Sequence, residues 1–164
     1  MADKVIHGVV RTDKLFGTLN GAGLSSFVHT EDMDNGSLVA IGAKKDGERE
    51  IYNVKVPTAT SKIGELYLIA APEVMYDERL KNLTDFYTPA GTPARGYMLH
   101  AGDEYSVTAE ALDGVTAATK VGDSVEVQAG LKAKVTATAT SAKFGTIIAI
   151  ETVGNLKYYV VRVG

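Results

Sequence analysis

The residues best suited to chemistry in this 164-residue chain are three histidines and one short acidic run. His7, His29 and His100 are far apart, without the H-x-x-H or H-x-x-x-H spacing that brings two imidazoles to one metal ion. The chain contains no cysteine, which excludes thiolate metal ligands, disulfides and cysteine nucleophiles. We therefore predict no metal centre, and a metal site could form only if distant residues meet in space.

The acidic run occupies residues 31–34 and is followed by Asn35-Gly36. Carboxylates at this density could bind a divalent cation weakly, but the run lacks the distal glutamate of a calcium-binding loop. Asn-Gly after a polar cluster is a strong turn signal. The pattern therefore predicts a solvated hairpin turn.

Nucleophile and phosphate-binding motifs are also missing from the sequence. A nucleophile elbow requires Gly-x-Ser-x-Gly, and neither Gly36-Ser37 nor residues 23–26 supply the second glycine. The glycine-rich segment 17–23 lacks the Lys-Ser/Thr pair of a P-loop. We predict a non-enzymatic protein that has no catalytic, cofactor-binding or metal-binding residues.

Composition narrows the classes of partner. The formal net charge of −3 and the pI near 5.6 argue against a general nucleic-acid binder, which normally carries a basic surface. The N-terminal residues 1–17 contain no uninterrupted apolar stretch, and the chain has no apolar run of membrane-spanning length. We expect a soluble protein with no signal peptide and no nucleic-acid or membrane partner.

The pattern along the chain is that of short β-strands separated by turns that contain glycine and aspartate. Alternation is clearest at 50–56 and 105–111, and Leu66–Ala71 is the most hydrophobic strand candidate, expected at the centre of a sheet. Four strand candidates after Val121 predict a small barrel or sandwich. The predicted fold class is mainly β, with short antiparallel strands, one short helix or long loop in the middle and a small C-terminal β-barrel or sandwich unit.

We divide the chain into three segments. Residues 1–23 are predicted to form an extended N-terminal arm, 24–115 a β domain, and 116–164 a small C-terminal β-barrel-like unit. The β domain carries an insertion at 73–100, in which Tyr76–Phe86 has the spacing of a helix of two to three turns. Prolines 89 and 93 then favour an open loop, because each biases the preceding residue away from helical geometry.

The insertion is also rich in tyrosine, methionine and arginine, which protein–protein contacts favour. It either packs over one face of a sheet or forms a partner surface, and both can hold at once. The apolar side chains of the arm also need a surface to cover them, either in their own domain or in a partner. The candidate partner-binding residues are Val9, Val10, Phe16, Met75, Tyr76, Arg79, Phe86, Tyr87, Arg95 and Tyr97.

Several segments, in order over nearly the whole chain, carry a family resemblance. They are His7–Arg11, Asn35–Ser37 leading into Val39–Gly42, Gly47–Glu50, Ile69–Arg79, Arg95–Asp103, and the closing Gly145–Ile148 with Tyr158–Val160. Together they resemble a family of small structural proteins of tailed bacteriophages, the capsid decoration (auxiliary head, or cement) proteins.

The resemblance implies a non-enzymatic virion protein that binds the outer surface of the shell of major capsid protein and stabilises it. It implies location on the capsid after synthesis in the host bacterial cytoplasm, and a homo-oligomer, which we expect to be a trimer. A protein that binds the expanded shell and not its precursor stabilises the expanded state by its binding free energy. Two alternatives are a carbohydrate- or cell-surface-binding module of a phage tail or fibre, and a hydrolase whose active-site residues, near Asp32, converge only in the fold.

Overall fold

A computed structural model describes residues 6–75 and 82–164, and they are mainly β, which confirms the predicted fold class. The strands are β1 (Val10–Arg11), β2 (Leu24–Val28), β3 (Leu38–Lys44), β4 (Ile51–Lys55), β5 (Leu66–Ile69), β6 (Ala94–Met98), β7 (Glu104–Thr108), β8 (Leu112–Asp113), β9 (Ser124–Glu126), β10 (Ala133–Thr136), β11 (Lys143–Val153) and β12 (Leu156–Val163). The helices of the described residues are α1 (Phe16–Asn20) and short 3-10 helices at Ile63–Glu65, Leu83–Asp85 and Ala109–Ala111.

Five strands form a closed barrel in the order β2-β4-β3-β5-β6. Strand β2 closes it by pairing parallel to β4 and antiparallel to β6. Alternate residues point inward, as a pleated strand requires. Gly96 on β6 leaves room for the ring of Phe27, since a Cβ there would lie 2.6 Å from that ring. The buried interior side chains are Phe27, Met33, Val39, Tyr67, Ile69 and Ala94.

The other seven strands form an open sheet in the order β1-β7-β12-β11-β9-β10-β8. Its longest pair is the antiparallel β11–β12 hairpin, in which Val153 lies opposite Leu156. Gly154 takes φ 63° at the first of the two turn positions, which is where a type II′ turn requires glycine.

The barrel and the sheet share one hydrophobic core, and β5 shows how. Its four residues alternate between two environments: Tyr67 and Ile69 fill the barrel interior, whereas Leu66 and Leu68 pack with side chains of the sheet. All four residues are therefore buried, which is why this strand reads as a continuous apolar run.

The sheets do not follow the three predicted segments. The closed barrel is built from residues 24–98, whereas the open sheet takes β1 from the arm and β7 and β8 from the middle segment. Strands far apart in the chain pair here: Val10 lies opposite Val107, and Tyr159 lies opposite the same residue on the other side. Hydrophobic periodicity indicates where a strand lies but not which strand it pairs with. These pairings therefore could not be predicted from local sequence patterns.

The α-helix lies in the segment that we predicted to be an extended arm. Leu15, directly before α1, is fully buried, and the N–H of Phe16 donates to a carboxylate oxygen of Asp103 at 3.0 Å. Gly21 ends the helix in the left-handed conformation. Most of the helix predicted at Tyr76–Phe86 lies outside the described residues, and its last part contains the 3-10 helix Leu83–Asp85.

Gly36 offers a direct test of how tightly the barrel and the sheet fit together. It has φ +91°, and a Cβ there would lie 2.7 Å from Val107 Cγ2 and 2.8 Å from Ala111 Cβ. Gly36→Ala is expected to lower the free energy of unfolding by about 2–3 kcal/mol, because backbone strain and overpacking add. Gly47→Ala is the matched control. Gly47 has φ +79° and no atom lies within 4 Å of its Cβ position, so this variant should lose only the free energy of backbone strain. Equal losses in urea unfolding of the two variants would contradict this account.

Tyr105 makes stability depend on alkaline pH. Its side chain is buried in the shared core, and this burial raises the pKa of the phenol far above its ordinary value of 10.0. Above about pH 10 the unfolded chain ionises this phenol and the native state does not, so stability falls as pH rises. Tyr105→Phe should reduce the loss of unfolding free energy between pH 10 and 11 by about 1 kcal/mol. Urea unfolding at both pH values checks this, and equal losses in the two proteins would refute it.

Candidate interaction groove and the loop that builds it

An apolar groove of about 560 Å³ separates the segment after β5 from the segment before β6. Met75, Phe86 and Tyr87 are half-buried, and Val74 is 57% exposed, so they combine fixed positions with accessible surface. Aromatic and methionine side chains held in this way are typical anchors of protein contacts. The lining residues are Ala71, Pro72, Val74, Met75, Asp85, Phe86, Tyr87, Thr88, Pro89, Thr92 and Pro93.

One wall of the groove is held by the side chain of Asn35, which is 1% exposed. The Asn35 amide donates to the carbonyl of Ala71 at 3.0 Å, and its oxygen accepts the N–H of Ala71 at 2.9 Å. The side chain thus pairs with Ala71 as a neighbouring strand would. It fixes the position at which the chain leaves β5 and enters the groove wall.

The opposite wall is held by Asp32 and Met33, which lie with Asn35 in the loop of residues 31–36 between β2 and β3. Met33 exchanges two backbone hydrogen bonds with Thr88, at 2.9 and 2.8 Å, while its side chain lies in the barrel interior. A carboxylate oxygen of Asp32 accepts the N–H of Ala90 at 2.8 Å. Both contacts place the 85–93 segment at a defined distance from the barrel.

Asp34 joins this wall to the N-terminal residues. One oxygen of its carboxylate contacts His7 Nδ1 at 2.7 Å, and the other accepts the N–H of Gly8 at 3.0 Å. The His7 ring stacks on Tyr87 with 4.6 Å between ring centroids, and the backbone N–H of His7 donates to the carbonyl of Thr84 at 2.8 Å. Tyr87, which lines the groove, therefore packs against His7, and His7 is itself held by hydrogen bonds to Asp34 and Thr84.

The acidic loop 31–36 is thus the element that assembles the groove, and our prediction of a solvated hairpin turn was wrong. Strands β2 and β3, which flank it, are not neighbours in the barrel. Met33 and Asn35 are buried, and Gly36 donates its N–H to Ile69 O at 2.8 Å. An apolar Met33 within a polar run was the one local signal that the loop is tied into the core.

A comparison with protein-family models matches residues 8–157 to the YonC prophage protein family. The chain belongs to this family. No curated protein matches the chain. The match covers almost all of the sequence and confirms the expected phage origin.

The groove brings together some of the predicted partner-binding residues of this YonC-family chain. Met75, Phe86 and Tyr87 line it. Tyr76 and Arg79 lie outside the described residues. Phe16 is 41% exposed on α1, with its ring centroid 4.5 Å from that of His100.

The remaining predicted residues lie elsewhere. Val9, Val10 and Tyr97 are buried in the chain's own structure, so they offer little surface to a partner and we leave them out of the proposed contact. Their burial follows from the pairing of β1 with β7 and from the packing of the barrel strand β6 against the open sheet. Arg95 is exposed and lines a different cleft.

Polar groups in the groove of the YonC-family chain are few. The hydroxyl of Thr88, in a residue only 3% exposed, has no hydrogen-bond partner within the part of the chain that the structure describes. Among residues 6–75 and 82–164 there is no cluster of three or more metal-ligating acidic or histidine side chains. Over the same ranges no helix is long and apolar enough to cross a membrane.

Proposed function

We propose that this YonC-family chain is a non-enzymatic virion structural protein that binds the outer surface of the capsid shell and stabilises it. The observation that carries the proposal is the rigidly built apolar groove, in which Met75, Phe86 and Tyr87 remain accessible. Membership of a prophage family supports the phage origin that a virion protein requires. The resemblance to decoration proteins supplies the partner, the major capsid protein.

The construction of the groove suits a protein contact. Its two walls are tied to loop 31–36 by backbone and side-chain hydrogen bonds, so binding would order few additional groups. A preorganised surface loses less conformational entropy when a partner binds, and more of the contact free energy remains as affinity. Three of the four prolines of the chain line the groove and restrict its backbone further.

Decoration would act on the shell by mass action. A copy that binds the expanded shell and not its precursor stabilises the expanded form by about 4 kcal/mol when its free concentration is a thousand times Kd. Many copies on one shell add these contributions. Copies gathered around local symmetry axes would form a homo-oligomer, which we expect to be a trimer.

Sedimentation with shells of the phage that encodes the chain tests the proposal. The purified protein should co-sediment with expanded shells and remain in the supernatant with unexpanded shells. Light scattering after size exclusion should give the mass of a trimer. Failure to bind expanded shells would reject the decoration role, and selective binding on a glycan array would then favour the tail or fibre alternative.

A further inference from the structure

A second cleft, of about 320 Å³, opens on the barrel and shares no lining residue with the groove. It is lined by two arginines, two serines, one glutamate, one tyrosine and one leucine. These residues are Leu24, Ser25, Ser26, Arg49, Glu50, Tyr52 and Arg95.

The order of strands in the barrel brings these residues together. Ser26 on β2 lies opposite Arg95 on β6 at one side and opposite Ile51 on β4 at the other. Arg49 and Glu50 directly precede β4. Two arginines that are distant in sequence therefore reach one cleft because β2 pairs with both neighbouring strands.

The donors of the cleft are not engaged within the described residues. Neither Arg49 nor Arg95 forms an ion pair there, whereas Arg11 lies 3.9 Å from Glu151. Glu50 lines the same cleft without contacting either guanidinium within 4.0 Å. The hydroxyls of Ser25 and Ser26 likewise donate to none of the described acceptors. Ser26 lies opposite Arg95 and shares its face of the barrel wall, whereas Ser25, the preceding residue of the strand, points to the other face. Two cations and the Ser26 hydroxyl thus share a space that an oxyanion would complete.

We infer that this cleft binds a single carboxylate from an acidic side chain of a partner protein. Arginine forks match a carboxylate with paired, charge-assisted hydrogen bonds, and the Ser26 hydroxyl can donate to a remaining lone pair. Leu24, which is 43% exposed, offers apolar contact to the aliphatic stem of that side chain.

The charges present favour one carboxylate over a polyanion. Glu50 within the cleft leaves it a formal charge of only +1 from its two arginines and one glutamate, and the whole chain carries −3. A nucleic-acid backbone would bring repeated charges against this acidic protein, whereas one carboxylate meets the arginines alone. The inference goes beyond the proposed groove contact and does not depend on it.

Titration of the ¹⁵N-labelled full chain with the capped peptide Gly-Glu-Gly tests the inference. Amide shifts should occur at Ser25, Ser26 and Arg95 and saturate, while the capped peptide Gly-Gln-Gly should leave them unchanged. Arg49→Gln and Arg95→Gln should each weaken binding by about tenfold, because each removes a charge-assisted contact. Glu50→Gln should strengthen binding several-fold.

Arg162→Gln is the matched control, since Arg162 is exposed on β12 in the other sheet and its loss should not alter binding. Retained amide dispersion shows that each variant is folded, and Ser26→Ala gives a second variant should Arg95→Gln unfold. Equal shifts with both peptides, or unchanged affinity in Arg49→Gln, would overturn the inference. Tighter binding of inorganic phosphate or of a short oligonucleotide than of Gly-Glu-Gly would also overturn it. Shell sedimentation tests the groove separately, so the two failures are distinguishable.

Discussion

Replacement of Leu68 by alanine is expected to lower the free energy of unfolding by about 3–5 kcal/mol and to unfold the barrel and the open sheet together. Leu68 is 0% exposed and belongs to the cluster that both layers share. Removal of a fully buried leucine side chain costs its transfer free energy and leaves a cavity. Because the cluster that contains Leu68 joins the barrel to the open sheet, each stabilises the other, and neither is expected to stay folded when the other unfolds.

Urea unfolding measures this effect when it is monitored by hydrogen exchange at amides of β3, for the barrel, and of β12, for the open sheet. Leu19→Ala is the control, because Leu19 is 72% exposed and its removal should change stability by about 0.5 kcal/mol or less. Separate midpoints for the two layers in Leu68→Ala would show that the barrel and the sheet unfold independently, against the shared core described above.

The double variant Phe86→Ser, Tyr87→Ser is expected to weaken binding to expanded shells by about a hundredfold. Each aromatic side chain lines the groove and is half-buried, and a combined loss of about 2.7 kcal/mol from two such anchors corresponds to a hundredfold change in Kd. The measurement is co-sedimentation over a concentration series. Phe16→Ser, which removes an exposed aromatic outside the groove, should leave shell binding unchanged and tests the N-terminal region as a rival contact.

Tyr87 also stacks on His7, so its loss could disturb the groove wall itself. Val74→Asp avoids this difficulty, because Val74 is 57% exposed and a carboxylate there would disrupt apolar docking without opening the core. Full shell binding by both groove variants would exclude the groove as the contact. A large drop in the melting temperature of both groove variants would instead show that the groove residues cover the core of the chain itself.

Elements whose pattern is local could be predicted from the sequence. The continuous apolar run at 66–71 indicated a central strand, and β5 is indeed buried on both sides. Closure of the barrel could not be predicted, because it depends on the pairing of β2 with β4 and β6, which turn signals do not encode. Helix α1 could not be predicted either. The N–H of Phe16 at its start donates to Asp103, which lies 87 residues further along the chain.

The candidate site divides in the same way. Residue type alone selected Phe86, Tyr87 and Met75, and the structure places all three in one groove. The residues that build the groove were missed, because Asn35 and Asp34 act through partners far along the chain. Both residues are polar and lie just before Gly36, a pattern that is typical of solvent-exposed turns.

The partners of loop 31–36 also determine when this protein can fold during its synthesis. The loop bonds to His7 on one side and to residues as late as Ala90 on the other. At ribosomal rates of about 5–20 residues per second, the interval between Gly36 and Ala90 lasts roughly 3–10 s. During that interval β3, β4 and β5 are synthesised, and β6, which closes the barrel, follows only after Ala90. Nascent chains that end before β6 therefore expose apolar strands that a chaperone would need to protect.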